Sequence, residues 1–135
     1  MIVVDSNVLA YLLIDNRQTP DARALLVRDP DWHSDSFALV ELTNVLATAM
    51  RVRQLDLPKA TRALADAQSV IESGLHAVTP ADALAVAVGF GISAYDARYV
   101  AVARDLGARL VTEDARLRKA APALTQSLAE ALAAA

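Results

Sequence analysis

The chain has no cysteine. That excludes disulfides, thiol nucleophiles and thiolate metal sites, and a reducing compartment such as the cytoplasm is the expected location. Aromatic residues make up only 4% of the 135 residues, too few for the rows of stacked rings that single-strand binders use. Lysine is nearly missing: Lys59 and Lys119 stand alone, and the other basic residues are arginines. No uncharged run approaches the ~18 residues a membrane helix needs, so no membrane association is expected. The opening apolar run Met1–Val4 has no basic start and is cut by Asp5 and Asn7, unlike a signal peptide. His33 and His76 are the two histidines; they read as solitary, with no metal-binding spacing around them. With no histidine or lysine base placed near a serine, catalysis of the triad type has no support.

What is present is helix-forming and apolar. Hydrophobic residues account for 55% of the chain, mean hydropathy is +0.31, and alanine supplies roughly a fifth of all residues. The length suits one domain, residues 1–135, with a substantial core. Net charge is −3 and the pI is 5.2, a mild argument against a general nucleic-acid binder. Setting aside four acids discussed below moves the balance from −3 to +1, so that argument does not exclude nucleic acid.

Strand and helix signals alternate. Ile2–Val4 reads as a buried strand, followed by a helix over Asn7–Ile14. Thr19-Pro20-Asp21 opens a helix to about Arg28, with Thr19 as its cap and Pro20 in first position. A small strand is expected around Trp32 and His33, then helices over Ser36–Arg53 and Pro58–Glu72, the second ended by Gly74. Leu75–Val78 reads as a strand. Thr79–Asp82 starts a helix ending near Gly89–Gly91, and another covers Ser93–Leu106 with Gly107 as its stop. Arg109–Thr112 reads as a strand, Asp114–Ala121 as a short helix, and Leu124–Ala134 as a strand-like turn and a closing helix. This order predicts an α/β fold, a mostly parallel sheet with helices on both faces, whose ligands sit beyond the carboxyl ends of the strands.

Four acids fall where such a fold can gather them: Asp5, Glu41, Asp96 and Asp114. Converging carboxylates repel one another, and a hard divalent ion is the usual reason to keep them together. Each also has a plain structural reading. Asp5 can cap the first helix, although Asn7 competes for that place. Asp96 fits a capping box with Ser93, and Asp114 fits an N-cap. Glu41 is the hardest to read this way, because Phe37 and Val45 share its helix face, and a satisfied salt bridge is its plain alternative. Asn44 and Thr112 are placed to hold the acids by hydrogen bonds. Arg51, Arg53, Arg116 and Arg118 are candidates for phosphate contact, with surface solvation as the alternative. Small residues around Ala60, Ala63 and Ala67 suggest a helix face able to pack closely on a partner, with internal packing an equal explanation.

In order, Val3-Val4-Asp5-Ser6-Asn7-Val8-Leu9, Glu41-Leu42-Thr43-Asn44-Val45-Leu46, Tyr95-Asp96-Ala97-Arg98-Tyr99-Val100-Ala101 and Leu110-Val111-Thr112-Glu113-Asp114 resemble the PIN-domain nucleases. Among these the chain is most similar to the small VapC-type toxins of bacterial toxin–antitoxin pairs. Each motif alone is weak, whereas the ordered set spans nearly the whole chain. The resemblance implies a three-layer α/β/α sandwich, Mg²⁺ or Mn²⁺ as cofactor, and hydrolysis of RNA to a 5′-phosphate and a 3′-hydroxyl. By motif position it makes Asp5, Glu41, Asp96 and Asp114 the catalytic and metal-binding acids, with Asn7, Asn44 and Thr112 as polar supports. It also implies a cognate antitoxin as partner, and a homodimer is expected.

Two other classes compete. A phosphoaspartate enzyme or receiver also places an Asp at a strand end beside Mg²⁺. The dehalogenase-like version wants a second acid where Asn7 stands, and a receiver wants an acidic pair and a late lysine that are not visible. A non-catalytic interaction domain of the same fold is the other alternative, and retention of all four acids argues against it.

Overall fold

A computed structural model describes residues 1–52 and 55–134. The short β-branched strand β1 (Ile2–Val4) is buried along its whole length and forms the middle of the sheet. On one side it pairs in parallel with β2 (Trp32–Asp35), matching Ile2 to Trp32 and Val3 to His33. On the other it pairs in parallel with β4 (Leu110–Val111), matching Val3 to Leu110. The edges are β3 (Leu75–His76) beside β2, and β5 (Thr125–Gln126) beside β4. The order is therefore β3-β2-β1-β4-β5, and every pair described is parallel.

Parallel neighbours need crossovers, which are right-handed in nearly all proteins. The steps from β1 to β2 and from β2 to β3 run the same way along the sheet. They use α1 (Ser6–Leu13) and α2 (Thr19–Arg28), then α3 (Ala38–Arg51), α4 (Leu57–Ile71) and a 3-10 turn over Glu72–Gly74. The return from β3 to β4 uses α5 (Pro80–Phe90) and α6 (Ala94–Leu106) and must lie on the opposite face. Packing agrees: α6 lies on β1, β2 and β4, whereas α1 lies on β1 and α4 on β2. A short α7 (Ala115–Ala120) joins β4 to β5, and α8 (Leu128–Ala134) closes against α2. The result is the expected three-layer α/β/α arrangement around a parallel sheet. Its strand order reverses at β1, which opens a crevice beyond the carboxyl ends of β1 and β4.

Several local expectations change. Thr19 does not cap α2; its hydroxyl accepts the Asn16 N–H at 3.0 Å and donates to the Tyr11 carbonyl at 2.6 Å, tying the end of α1 to the start of α2. The third helix begins at Ala38 rather than Ser36, because the Asp35 carboxylate takes the Phe37 N–H at 2.8 Å and turns the chain there. The expected end at Arg53 lies outside the described residues. Ala60, Ala63 and Ala67 are buried within the molecule, so the small-residue face of α4 packs internally and presents no surface to a partner. Gly74 has a specific steric role: a Cβ there would lie 2.3 Å from the Trp32 carbonyl oxygen.

Candidate active site

Asp5 follows β1 directly and opens α1. Its Oδ1 accepts the Val8 N–H at 2.9 Å, so Asp5, not Asn7, is the helix cap. Capping occupies one carboxylate oxygen. The carboxylate also accepts a hydrogen bond from the Thr112 side chain, which comes from just past β4. Asp5 is only 8% exposed. Burial is the largest influence and pushes its carboxyl up to about 6. The Val8 and Thr112 hydrogen bonds pull it back, while the charges of Asp96 and Glu41 push it further up.

Asp96 lies in the first turn of α6. Ser93 Oγ accepts its backbone N–H at 3.1 Å, half of the capping box read from the sequence. Its carboxyl is raised by burial first, lowered by a Ser93 hydrogen bond, and raised again by the charge of Asp114. Asp114 is exposed and caps α7 through Oδ1, which accepts the N–H groups of Arg116 at 2.9 Å and Leu117 at 3.2 Å. The Asp114 N–H in turn donates to Thr112 Oγ1 at 3.2 Å. Thr112, fully buried, therefore touches both Asp5 and Asp114.

Glu41 sits one turn into α3, half-buried, and accepts a short hydrogen bond from the Tyr99 hydroxyl on α6. Burial and the neighbouring Glu41 carboxylate drive the Tyr99 hydroxyl well above its ordinary range, so it stays a donor. Asn7 and Asn44 are exposed and share an open groove of about 320 Å³ with Ser6, Phe37, Val40, Glu41 and Val45. Among the described residues neither amide bonds to an acid.

Sequence reasoning missed two groups. Tyr99 lies three residues after Asp96, on the same helix face, and that spacing was a signal for it. Asp35 gave none, because its role depends on contacts across the fold. It is fully buried at the end of β2, and its Oδ2 accepts both the Phe37 N–H and Arg98 Nε–H at 2.8 Å. Its Oδ1 is buried and has no partner among the described residues. Asp35 and Arg98 thus tie the start of α3 to α6, the helices that carry Glu41 and Asp96. Breaking one partner of such a pair leaves an uncompensated buried charge.

The histidines are not solitary. His33 Nδ1 lies 2.9 Å from His76 Nε2, and His33 Nε2 lies 2.9 Å from Asp31 Oδ1. This chain links β2 to the edge strand β3. Of the candidate phosphate contacts, Arg118 donates to the Thr112 carbonyl at 2.9 Å and so holds the loop after β4. Arg51 bonds Thr48 Oγ1 at 3.0 Å, Arg116 is exposed, and Arg53 lies outside the described residues.

Among the described residues no group of three or more acidic or histidine side chains is arranged to hold an ion alone. The donors still suit a hard divalent cation. They are carboxylate oxygens, and the buried Asp5 is held against its own ionisation first by burial and then by the charges of Asp96 and Glu41. Mg²⁺ typically binds through one or two carboxylates and keeps several waters. Asp5 feels the charges of both Asp96 and Glu41.

The family model described as "PIN domain" matches residues 2–122. The chain belongs to the PIN domain family. Ribonuclease VapC3 of Pyrobaculum aerophilum is 28% identical to this PIN domain over 126 residues, covering 91% of this chain and 96% of that protein. The crystal structure of PAE2754 from Pyrobaculum aerophilum superposes with a TM-score of 0.80 and 22% identity, covering 98% of this chain and 93% of that one. The crystal structure of FitAcB from Neisseria gonorrhoeae gives a TM-score of 0.69 and 19% identity, covering 95% and 98%. Both likenesses are of fold, and they match the parallel sheet flanked by helices on both faces.

Proposed function

We propose that this PIN domain, residues 1–135, is a Mg²⁺- or Mn²⁺-dependent endoribonuclease. In this reading it is the cytoplasmic toxin of a type II toxin–antitoxin pair, held in check by a cognate antitoxin protein and working as a homodimer. Family membership and the similarity to a protein named a ribonuclease support the reaction class. The observation that carries the reading is Asp5: a buried carboxylate at the sheet's reversal point, under the charges of Asp96 and Glu41. Burying such a group is costly, and a cation in the crevice relieves the cost.

In this reading Asp5 and Asp96 would hold the ion directly, with Glu41 next, and Asp114 would hold a second ion or orient the attacking water. When bound, the ion lowers the pKa of that water and offsets the charge that builds on the phosphate. Thr112 fixes the Asp5 carboxylate through its hydrogen bond, and Tyr99 fixes Glu41. Asn7 and Asn44 line the groove through which the strand would pass, and Arg116, exposed in α7, would be free to meet a phosphate. No protein nucleophile is needed. The test is cleavage of a labelled single-stranded RNA with added Mg²⁺ or Mn²⁺, in which Asp5→Asn and Asp96→Asn abolish the products. Incubation with acetyl phosphate separates the phosphoaspartate alternative, because a nuclease gains no mass.

A further inference from the structure

The chain has six aromatic residues among phenylalanine, tyrosine and tryptophan, and two of them stand together beside the acids. Phe37 and Tyr95 are nearly parallel, with planes 24° apart and ring centroids separated by 6.0 Å. Tyr95 is 64% exposed although it lies in the first turn of a buried helix. The Arg98 guanidinium lies 5.6 Å from the Phe37 ring centre. These groups line an apolar cleft of about 460 Å³, closed on the far side by Pro80, Ala83 and Leu84 of α5. Phe37 also lines the groove that holds Asn7, Glu41 and Asn44, so the cleft and the groove are neighbours that share this ring. Tyr95 directly precedes Asp96, and Phe37 lies one turn before Glu41.

We infer that this cleft is a subsite for an unpaired nucleobase of the RNA substrate, stacked on Tyr95 and bordered by Phe37 and Arg98. Aromatic rings and arginine planes are the surfaces on which splayed bases stack. The cleft carries little hydrogen-bonding capacity beyond Arg98, whose Nε–H is given to Asp35. Selection there is by stacking and shape, which favours a single-stranded or looped target over a continuous duplex. The Asp35–Arg98 pair keeps the guanidinium against Phe37 and so holds this edge of the subsite in place.

The inference rests on the nuclease reading, and the experiment keeps the two apart by reading binding separately from cleavage. Short single-stranded RNAs carry 2-aminopurine at successive positions and are titrated with the Asp5→Asn chain. The expected result is quenching at one position, lost in Asp5→Asn/Tyr95→Ala and kept in Asp5→Asn/Tyr95→Phe, with affinity lowered on the order of tenfold or more by the alanine change. Light scattering accompanies each titration. Quenching that survives Tyr95→Ala overturns the subsite. So does an unchanged RNA affinity with a halved molecular mass, which would make the cleft an interface between two copies. If wild type fails to cleave RNA yet the position-specific quench is seen, the nuclease reading fails and the base subsite stands.

Discussion

The Asp5 carboxyl is the residue on which stability and chemistry meet. Its folded-state value of about 6 lies above the ordinary 3.8, so the folded chain holds a proton that the unfolded chain has released. This contribution to stability is full below about pH 4 and is lost as pH rises through 6. By neutral pH the loss approaches about 3 kcal/mol. Asp5→Asn keeps a side-chain oxygen for the Val8 N–H and removes the charge. Its stability relative to wild type, measured by urea unfolding without metal, therefore rises between pH 4 and pH 7.5 by about 2–3 kcal/mol; an unchanged difference would contradict this account of the site. Tyr99→Phe deletes the donor to Glu41 while preserving the buried ring. It is expected to cost about 1 kcal/mol of stability and to lower RNA cleavage about tenfold. Cleavage at the wild-type rate would show that Glu41 does not depend on Tyr99 for its position.

At the scale of elements, caps and close approaches decide where the acids stand. Asp114 caps a helix of only six residues, so Asp114→Ala is expected to cost about 1 kcal/mol, and Asp114→Asn much less. Thermal melts of the two variants separate capping from chemistry, because both lose the charge. Gly74→Ala forces a Cβ against the backbone carbonyl of Trp32 and is expected to destabilise by about 1–3 kcal/mol. A Gly74→Ala melt within error of wild type would mean that β2 and the turn before β3 can separate freely. Much of this level was readable in the sequence. The Ile2–Val4 run, the Thr79-Pro80 start, the Ser93 cap and Gly107 at a left-handed helix end are local signals, and they appear in the fold within a residue or two. Contacts made across the sheet were not readable. The Asp35–Arg98 pair spans 63 positions and the histidine pair 43, and no periodicity marks either. The alanines of α4 left two readings open for a related reason: a small-residue stripe looks the same whether it meets a partner or its own core, and here it meets the core.

For the molecule as a whole, the parallel sheet and its reversal at β1 bring Asp5 within reach of the charges of Asp96 and Glu41, and Asp96 within reach of that of Asp114. Their mutual repulsion is the reason to expect a cation, and a cation that binds only the folded form stabilises it by mass action. Magnesium at a hundredfold excess over its dissociation constant is expected to add about 2.7 kcal/mol to wild type, and much less to Asp96→Asn. Equal gains in both would remove Asp96 from the ligand set. Control by a protein partner belongs to this scale too: co-expression with an adjacent short gene is expected to give a stable complex in which RNA cleavage is suppressed. The most direct measurement is cleavage of a single-stranded RNA by purified wild type, with Mg²⁺ and again with excess chelator, beside Asp5→Asn. Metal-dependent products from wild type alone, abolished by chelator and by the substitution, are predicted. Full cleavage in chelator, or undiminished cleavage by Asp5→Asn, would contradict it.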